Sequence, residues 1–248
     1  MPIPPTLSRI DSSTRLLLTP SVTVTPELEA YVNRLVSTAL RDPVGRRDFA
    51  LFQDGAAVIT RLTYPSPSLR PRSSKHPQVS PVGDAAPEAA LRDDLRVGEC
   101  WLVPGSSGQL GIGLHTFIAP THVTVDHIPL EIAANIGQAA RKMILWGLVE
   151  GDHNLALYRR LVASGEALHP IDLGRDRPPV HSNQQYVLLA RFDYNIFAPF
   201  HIQTFPIASV AVDEGMYFGV VVLEILDNWG GQSTCVYRIR IHGNVVVL

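Results

Sequence analysis

Asp227-Asn228-Trp229-Gly230 and, after a three-residue gap, Thr234-Cys235-Val236-Tyr237-Arg238-Ile239-Arg240-Ile241-His242-Gly243 form the stretch that decides the fold. Tyr237, Ile239 and Ile241 share one face of an extended chain, while Arg238, Arg240 and His242 share the other. That period of two is the signature of a strand with one face on a core. Outward from it the same texture repeats. Gln109–Leu114 alternates glycine with Leu110, Ile112 and Leu114, and His122–Ile128 alternates polar with apolar residues. Met143–Val149 is apolar throughout, as in a strand covered on both faces. Gln185–Phe192, His201–Ile207 and Tyr217–Leu226 complete the set, and Phe49–Tyr64 reads as short strands around Asp54-Gly55. Many short strands with Pro/Gly turns and one strong helix predict a mainly β chain, an antiparallel β-sandwich. No internal repeat is evident.

The one strong helix spans residues 26–41. Thr25 caps it, Pro26 suits its first position, and Glu27 and Glu29 favour the positive end of the helix dipole. Leu28, Tyr31, Val32, Leu35, Val36, Ala39 and Leu40 make one apolar stripe before Asp42-Pro43 ends it. Such a stripe is expected to cover something, either its own domain or a neighbouring chain. Residues 1–25, rich in Pro, Ser and Thr, read as a tail or linker. Residues 65–87 carry six prolines and read as a surface loop, since proline cannot donate to a ladder. The sandwich domain is then residues 48–248.

Composition excludes several classes. Of 248 residues, 46% are hydrophobic, and 21 basic residues face 23 acidic ones for a formal charge of -2. Nucleic acid is therefore not an expected partner, because no basic field exists to attract it. No apolar run approaches the roughly 20 residues of a membrane span. Met1-Pro2-Ile3-Pro4-Pro5 lacks the basic start and apolar stretch of a secretory signal, so the chain is expected to be soluble with no address of its own. Cys100 and Cys235 are the only cysteines. Two buried thiols are the default without a secretory signal, and composition leaves the alternative, a disulfide, open.

Catalytic patterns fail in turn. Gly105–Gly111 is glycine-rich, yet no Gly-Lys-Ser/Thr follows and no helix opens after it, so it reads as turns. Ser106 and Ser107 lack the Gly-x-Ser-x-Gly elbow of a serine hydrolase. His122, Asp126 and His127 resemble a zinc set, but two histidines five apart point to opposite faces of a regular strand. His127 reads instead as a hydrogen-bonding residue at a strand end or in a binding groove. Asp93, Asp94 and Glu99 form an acidic loop able to offer oxygen ligands to a hard cation, with solvation as the default. On residues alone this is a β-rich binding domain and not an enzyme.

The closing stretch also resembles the end of a SUN domain, in which Asn-Trp-Gly is followed by Thr-Cys-x-Tyr-Arg-x-Arg-x-His-Gly. Further matches come in family order. Gly98-Glu99-Cys100-Trp101 resembles the Gly-x-Cys-Trp that opens the core. Pro120 and Val125-Asp126-His127-Ile128-Pro129 resemble the Pro and Leu-Glu-His-Ile/Val-Pro strand. Gln203-Thr204-Phe205 and Val222-Leu223-Glu224-Ile225 resemble the last strands, and Arg47-Asp48-Phe49-Ala50 the Asp-Tyr-Ala after the family's helix. The resemblance covers residues 26–243 and is to the Sad1/UNC-84-like nuclear-envelope proteins, with this chain read as a fungal-type member.

The resemblance implies an interaction module of the perinuclear space, anchored in the inner nuclear membrane in full-length relatives. Such modules assemble as homotrimers and grip the carboxy-terminal tails of KASH proteins of the outer nuclear membrane, linking nucleus to cytoskeleton. Relatives carry a membrane span and a coiled coil before the domain, so this chain is expected to be a fragment or a soluble relative. The resemblance implies a disulfide between Cys100 and Cys235 that closes a cation loop at residues 89–99. Asp94 matches an acidic position there, Glu99 stands where Asn is usual, and the cofactor implied is a structural monovalent cation (potassium) or calcium. His127 and Tyr237 match groups lining the KASH groove, while Gln138 and Ser233 replace a Ser and a Tyr around the tail's carboxylate. Leu62 stands at a cysteine that bonds covalently to the partner in some members. The loop 65–87 corresponds to the lid over the peptide, here Pro/Ser-rich. The alternative is a carbohydrate-binding β-sandwich using Trp101, Trp146 or Trp229, although Trp101 and Trp229 fall inside the family signatures and read as core.

Overall fold

A 19-residue strand, Gly108–Asp126, organises the molecule. The computed structural model describes residues 25–65 and 86–247. Within them the elements run α1 (Pro26–Arg41), β1 (Ala57–Val58), β2 (Trp101–Pro104), β3 (Gly108–Asp126), β4 (Ala140–Leu148), α2 (Gly151–Ala163), β5 (Tyr186–Asp193), β6 (Ile202–Pro206), α3 (Val210–Asp213), β7 (Phe218–Asn228), β8 (Ser233–Val236) and β9 (Arg238–Val245). The tail expected over residues 1–24 and the bulk of the loop expected over 65–87 lie outside the described residues.

The first half of β3 pairs with β7 and β1, in the strand order β1-β3-β7-β4-β5. Its register shifts between Gly113 and Ile118, and its second half pairs with β9 on one side and β6 on the other. One strand thus serves both layers, a bend that irregularities in pairing allow. The two strands expected at Gln109–Leu114 and His122–Ile128 are therefore halves of one. All named pairings are antiparallel, so the molecule is a β-sandwich.

The core lies between the layers. Met143 and Leu145 of β4, Val221 and Leu223 of β7 and Ile239 and Ile241 of β9 all join it. Ile144, Trp146 and Leu148 of β4 enter a second apolar cluster with Leu62 and Tyr186. Both faces of β4 are covered, which is why its sequence shows no alternation. The glycines of β3 have a steric cause: a Cβ on Gly111 would sit 2.6 Å from the Leu62 Cβ. The helical turn Thr60–Leu62 lies directly on that strand.

Three further features depart from the sequence reading. Of Phe49–Tyr64, expected as short strands, only Ala57–Val58 is one, between the helical turns Phe52–Asp54 and Thr60–Leu62. The expected strand Cys235–Ile241 is interrupted at Tyr237, which separates β8 from β9. The helix α2 was not anticipated, although Asn154, Leu157, Tyr158 and Leu161 have helical spacing and Gly165 follows with a φ of 79°. Asn154 anchors it by donating 2.6 Å to the Tyr217 carbonyl.

Among the described residues, those up to Gly45 form one unit and those from Arg46 onward another. In the first, α1 begins as expected, with Leu28 N–H donating 3.3 Å to the Thr25 hydroxyl. Its stripe residues Leu28, Tyr31, Val32, Leu35 and Val36 remain exposed.

The face of β9 opposite the core is a buried polar layer. Arg240 forks onto Asp126, with Nε at 3.1 and 2.9 Å from the two carboxylate oxygens. Arg238 donates 2.9 Å to Asp48, whose other oxygen accepts from Ala50 N–H at 2.9 Å. His242 donates from Nδ1 to the Arg47 carbonyl at 2.8 Å and meets the Thr124 hydroxyl through Nε2 at 2.8 Å. Buried polar groups need such partners, because an unpaired one forfeits its hydration without return.

Candidate binding cleft

A cleft of about 200 Å³ opens beside the junction of β8 and β9. His127, Gln138 and Tyr237 line it, together with the Cys100–Cys235 disulfide, and Ser233 joins through Gln138. Three separated stretches of chain therefore meet there.

His127 directly follows β3, and its N–H donates 3.1 Å to the His201 carbonyl. Its Nδ1 lies 2.9 Å from the Ile128 carbonyl and so carries the proton, leaving Nε2 as an acceptor in the neutral ring. The ring packs edge-on against Tyr237 at 4.9 Å and tilted against Tyr194 at 5.9 Å. Tyr237 sits at the strand break, and its hydroxyl accepts 3.2 Å from Gly98 N–H. That bond ties the loop before Cys100 to the far end of the chain.

Gln138 ends the helical turn Ile136–Gln138, which Asn135 caps by accepting from Gly137 N–H at 3.1 Å. Its carboxamide donates 2.6 Å to the Ser233 hydroxyl at the start of β8. Gly231 N–H donates 2.8 Å to the Gly137 carbonyl, and a Cβ on Gly231 would come within 2.9 Å of the Gln138 backbone. This close approach fixes Gln138 against Ser233. Asn135 also lines the cleft and was not anticipated; its signal was the Asn135-Ile136-Gly137 turn chemistry. With Asn135 Oδ1 held by the cap, its amide N–H groups are free to donate. Among the described residues lining the cleft, none is Asp, Glu, Lys or Arg.

The disulfide joins residues 135 apart in sequence with a Cα–Cα distance of 5.5 Å. Cys100 and Cys235 pack with Ile128 and Tyr237 in a small apolar cluster that backs the cleft.

The expected cation donors are arranged differently. Asp94 accepts from Arg96 N–H at 3.1 Å and from Arg96 Nε at 2.9 Å. The Arg96 hydrogen bonds hold its carboxyl down at about 2. Glu99 is exposed, and its N–H closes a turn on the Arg96 carbonyl at 3.0 Å. Calcium takes six to eight oxygens with carboxylates among them. In this loop the matching carboxylate, Asp94, is paired with Arg96. A monovalent cation on main-chain carbonyls makes no demand on Asp94 or Glu99.

His122, Asp126 and His127 go to three environments: His122 beside Arg46, Asp126 on Arg240, His127 in the cleft. Leu62 is fully buried. The tryptophans considered for sugar stacking are poorly placed for it. Trp101 and Trp146 are buried, and half-buried Trp229 donates 3.0 Å to the Tyr194 carbonyl.

Burial holds the pKa of His122, His127 and His242 below the usual imidazole value. Unfolded, each titrates near about 6.5. Between the depressed folded values and about 6.5 the unfolded chain binds more protons, so stability falls as pH drops through that window. The thermal midpoint is expected to fall between about pH 7.5 and about pH 5.5, with a shallower slope in His127→Gln. A midpoint flat across that range in both proteins would contradict this account.

The sequence model of the Sad1 / UNC-like C-terminal family matches residues 81–162 and 178–245. Among curated relatives, human SUN domain-containing protein 3 is 30% identical over 225 residues, covering 88% of this chain and 53% of that protein. Mouse SUN domain-containing protein 2 is 29% identical over 231 residues, covering 87% of this chain and 26% of the relative. The nuclear migration and anchoring protein unc-84 of Caenorhabditis elegans is 25% identical over 226 residues, covering 88% and 17%. The chain thus spans about half the length of the human relative and less of the others. Among solved structures, a family 32 carbohydrate-binding module from Streptococcus pneumoniae EndoD superposes with a TM-score of 0.46 at 12% identity, covering 79% of this chain and 99% of the module. With the family's sequence model matching more than half of its length, this chain belongs to the Sad1 / UNC-like C-terminal, or SUN domain, family.

Proposed function

We propose that this chain is a SUN module of the nuclear envelope that holds the carboxy-terminal tail of a KASH-type protein in the perinuclear space, as one subunit of a homotrimer. It transmits force through contacts and breaks no bond. The observation that supports this most is the meeting of His127, Gln138, Ser233 and Tyr237 at one cleft. An extended tail suits such a site, since main-chain hydrogen bonds supply affinity and pockets for alternate side chains supply selectivity. Gln138, Ser233 and Asn135 offer neutral donors for a terminal carboxylate.

A clamp whose described residues include no Lys or Arg has a measurable consequence. Counter-charge contributes little, so the dissociation constant of a tail peptide is expected to change little as salt is raised from about 50 to about 300 mM. Gln138→Leu keeps the volume and removes the donor, and is expected to weaken binding about tenfold, the equivalent of about 1.4 kcal/mol. Tyr237→Phe releases the Gly98 loop and is expected to act in the same direction. Fluorescence anisotropy with free and carboxy-terminally extended KASH-type tails measures all three. Equal binding of both tails, indifferent to Gln138→Leu, would place the tail elsewhere.

A further inference from the structure

We infer that the tail uses a second subsite beside the cleft, selecting an aromatic or branched apolar side chain a few residues upstream of its free carboxyl end. This inference rests on the tail-binding reading above. A depression of about 310 Å³ adjoins the cleft, with Ile128 as a wall common to both. Tyr194, which lines this depression, also touches the His127 ring of the cleft. Leu130, Ile136, Ile196, Phe197 and Pro199 supply its apolar surface. A strand advances about 3.3 Å per residue, so neighbouring depressions are reached by side chains roughly two to four residues apart.

The loop between β5 and β6 is built to present apolar groups. Phe197 and Phe200 are 73% and 72% exposed, and Leu130, which lines the same depression as Phe197, is 44% exposed. The loop is not slack. The Gln203 carboxamide donates to the Asn195 carbonyl at 2.7 Å and to the Phe200 carbonyl at 3.2 Å, and accepts from Asn195 N–H at 3.0 Å. Asn195 Oδ1 in turn accepts from Phe197 N–H at 2.9 Å. Phe197 then rests edge-on against Trp229 at 5.5 Å, whose ring also meets the Arg141 guanidinium at 4.5 Å. Two rigidly held, water-facing phenylalanines are costly in hydration unless something covers them.

Size identifies the occupant. At roughly 200 Å² per phenylalanine, the two rings leave roughly 300 Å² in water. A stable interface between two protein copies needs about 800 Å² from each side. The patch is too small for that and is sized for one or two side chains of an extended peptide. Among the described residues, Glu131 is the one carboxylate lining the depression, which favours a neutral or basic tail over an acidic one there.

The test uses the full chain and synthetic tails of about ten residues with a free carboxylate, in which one tryptophan is walked through a Ser/Gly background. Affinity is expected to peak about tenfold at a single position a few residues from the end. Phe197→Ser with Phe200→Ser is expected to abolish that peak while leaving the thermal midpoint and the affinity for the tryptophan-free tail unchanged. Gln138→Leu should weaken every peptide alike, which separates the two readings. A peak that survives the double variant, or no positional preference, overturns the subsite. So does self-association that the double variant abolishes without changing peptide binding. If the tryptophan-free tail does not bind but the peak persists and needs Phe197, the subsite stands and the carboxylate clamp falls. If no peptide binds, both fall.

Discussion

Replacing Arg240 with alanine is expected to lower stability by about 3–5 kcal/mol, the range for removing one partner of a buried ion pair. Asp126 is 1% exposed and its carboxylate is gripped by the Arg240 fork. Burial already lifts the Asp126 carboxyl above its ordinary value, against the pull of Arg240. Without the guanidinium, only the weaker pull of Arg238 opposes desolvation there, and the Asp126 carboxyl rises further. A carboxyl whose folded pKa lies above its unfolded value stabilises least at high pH. The variant should therefore lose further stability as pH rises through its raised folded value, a slope that extends to higher pH than the parent's. Pairing Arg240→Met with Asp126→Leu removes both charges and should recover most of the loss, because the cost is that of an orphaned charge. Urea unfolding at several pH values measures this. A loss under about 1 kcal/mol for Arg240→Ala would mean that water reaches Asp126.

That pairing marks the boundary of what the sequence makes legible. The alternation of Ile239 and Ile241 with Arg238, Arg240 and His242 is local, and a period of two assigns a strand without knowing its neighbours. The carboxylate opposite Arg240 is 114 residues away, and no local pattern brings it there. The same holds for Gln138 and Ser233, 95 residues apart. Neither looked remarkable by residue type, and both were singled out by the family resemblance, not by spacing. The corner in β3 was misread as a gap between two strands because glycines and Pro120 resemble turn punctuation. The cause of the glycines is tertiary: Val103, Leu62 and Ile59 crowd the places where Cβ atoms on Gly108, Gly111 and Gly113 would sit. Helix α2 is a different kind of miss. Its apolar spacing was present, but His153, Arg159 and Arg160 dilute it, and a short helix between strands carries a weak signal. The acidic loop shows the same limit, since the Arg96 partner of Asp94 is a matter of local geometry that residue type alone does not give.

Removing the disulfide with Cys100→Ser and Cys235→Ser together is expected to cost about 2–5 kcal/mol and to weaken tail binding about tenfold. The bridge closes a loop across 135 residues, and in the chain-entropy account a loop of that order stabilises by roughly 5 kcal/mol through the denatured state. For a domain of this size that corresponds to a midpoint lower by about 5–15 °C. An effect confined to the denatured state would leave affinity untouched well below the midpoint. The position of the bridge argues for more. Its sulfurs pack on Ile128 and Tyr237, and two residues before Cys100 the Gly98 N–H holds the Tyr237 hydroxyl at 3.2 Å. Freed from Cys235, the segment Val97–Cys100 is no longer fixed against the Tyr237 ring, and the wall of the cleft loosens with it. Calorimetry and peptide titration on the same variant separate the two contributions. A lower midpoint with unchanged affinity would make the bridge a staple only, and an unchanged midpoint would remove it from the stability account altogether. A lower midpoint with weakened binding is the expected pair, because the bond that shortens the denatured chain also positions the cleft.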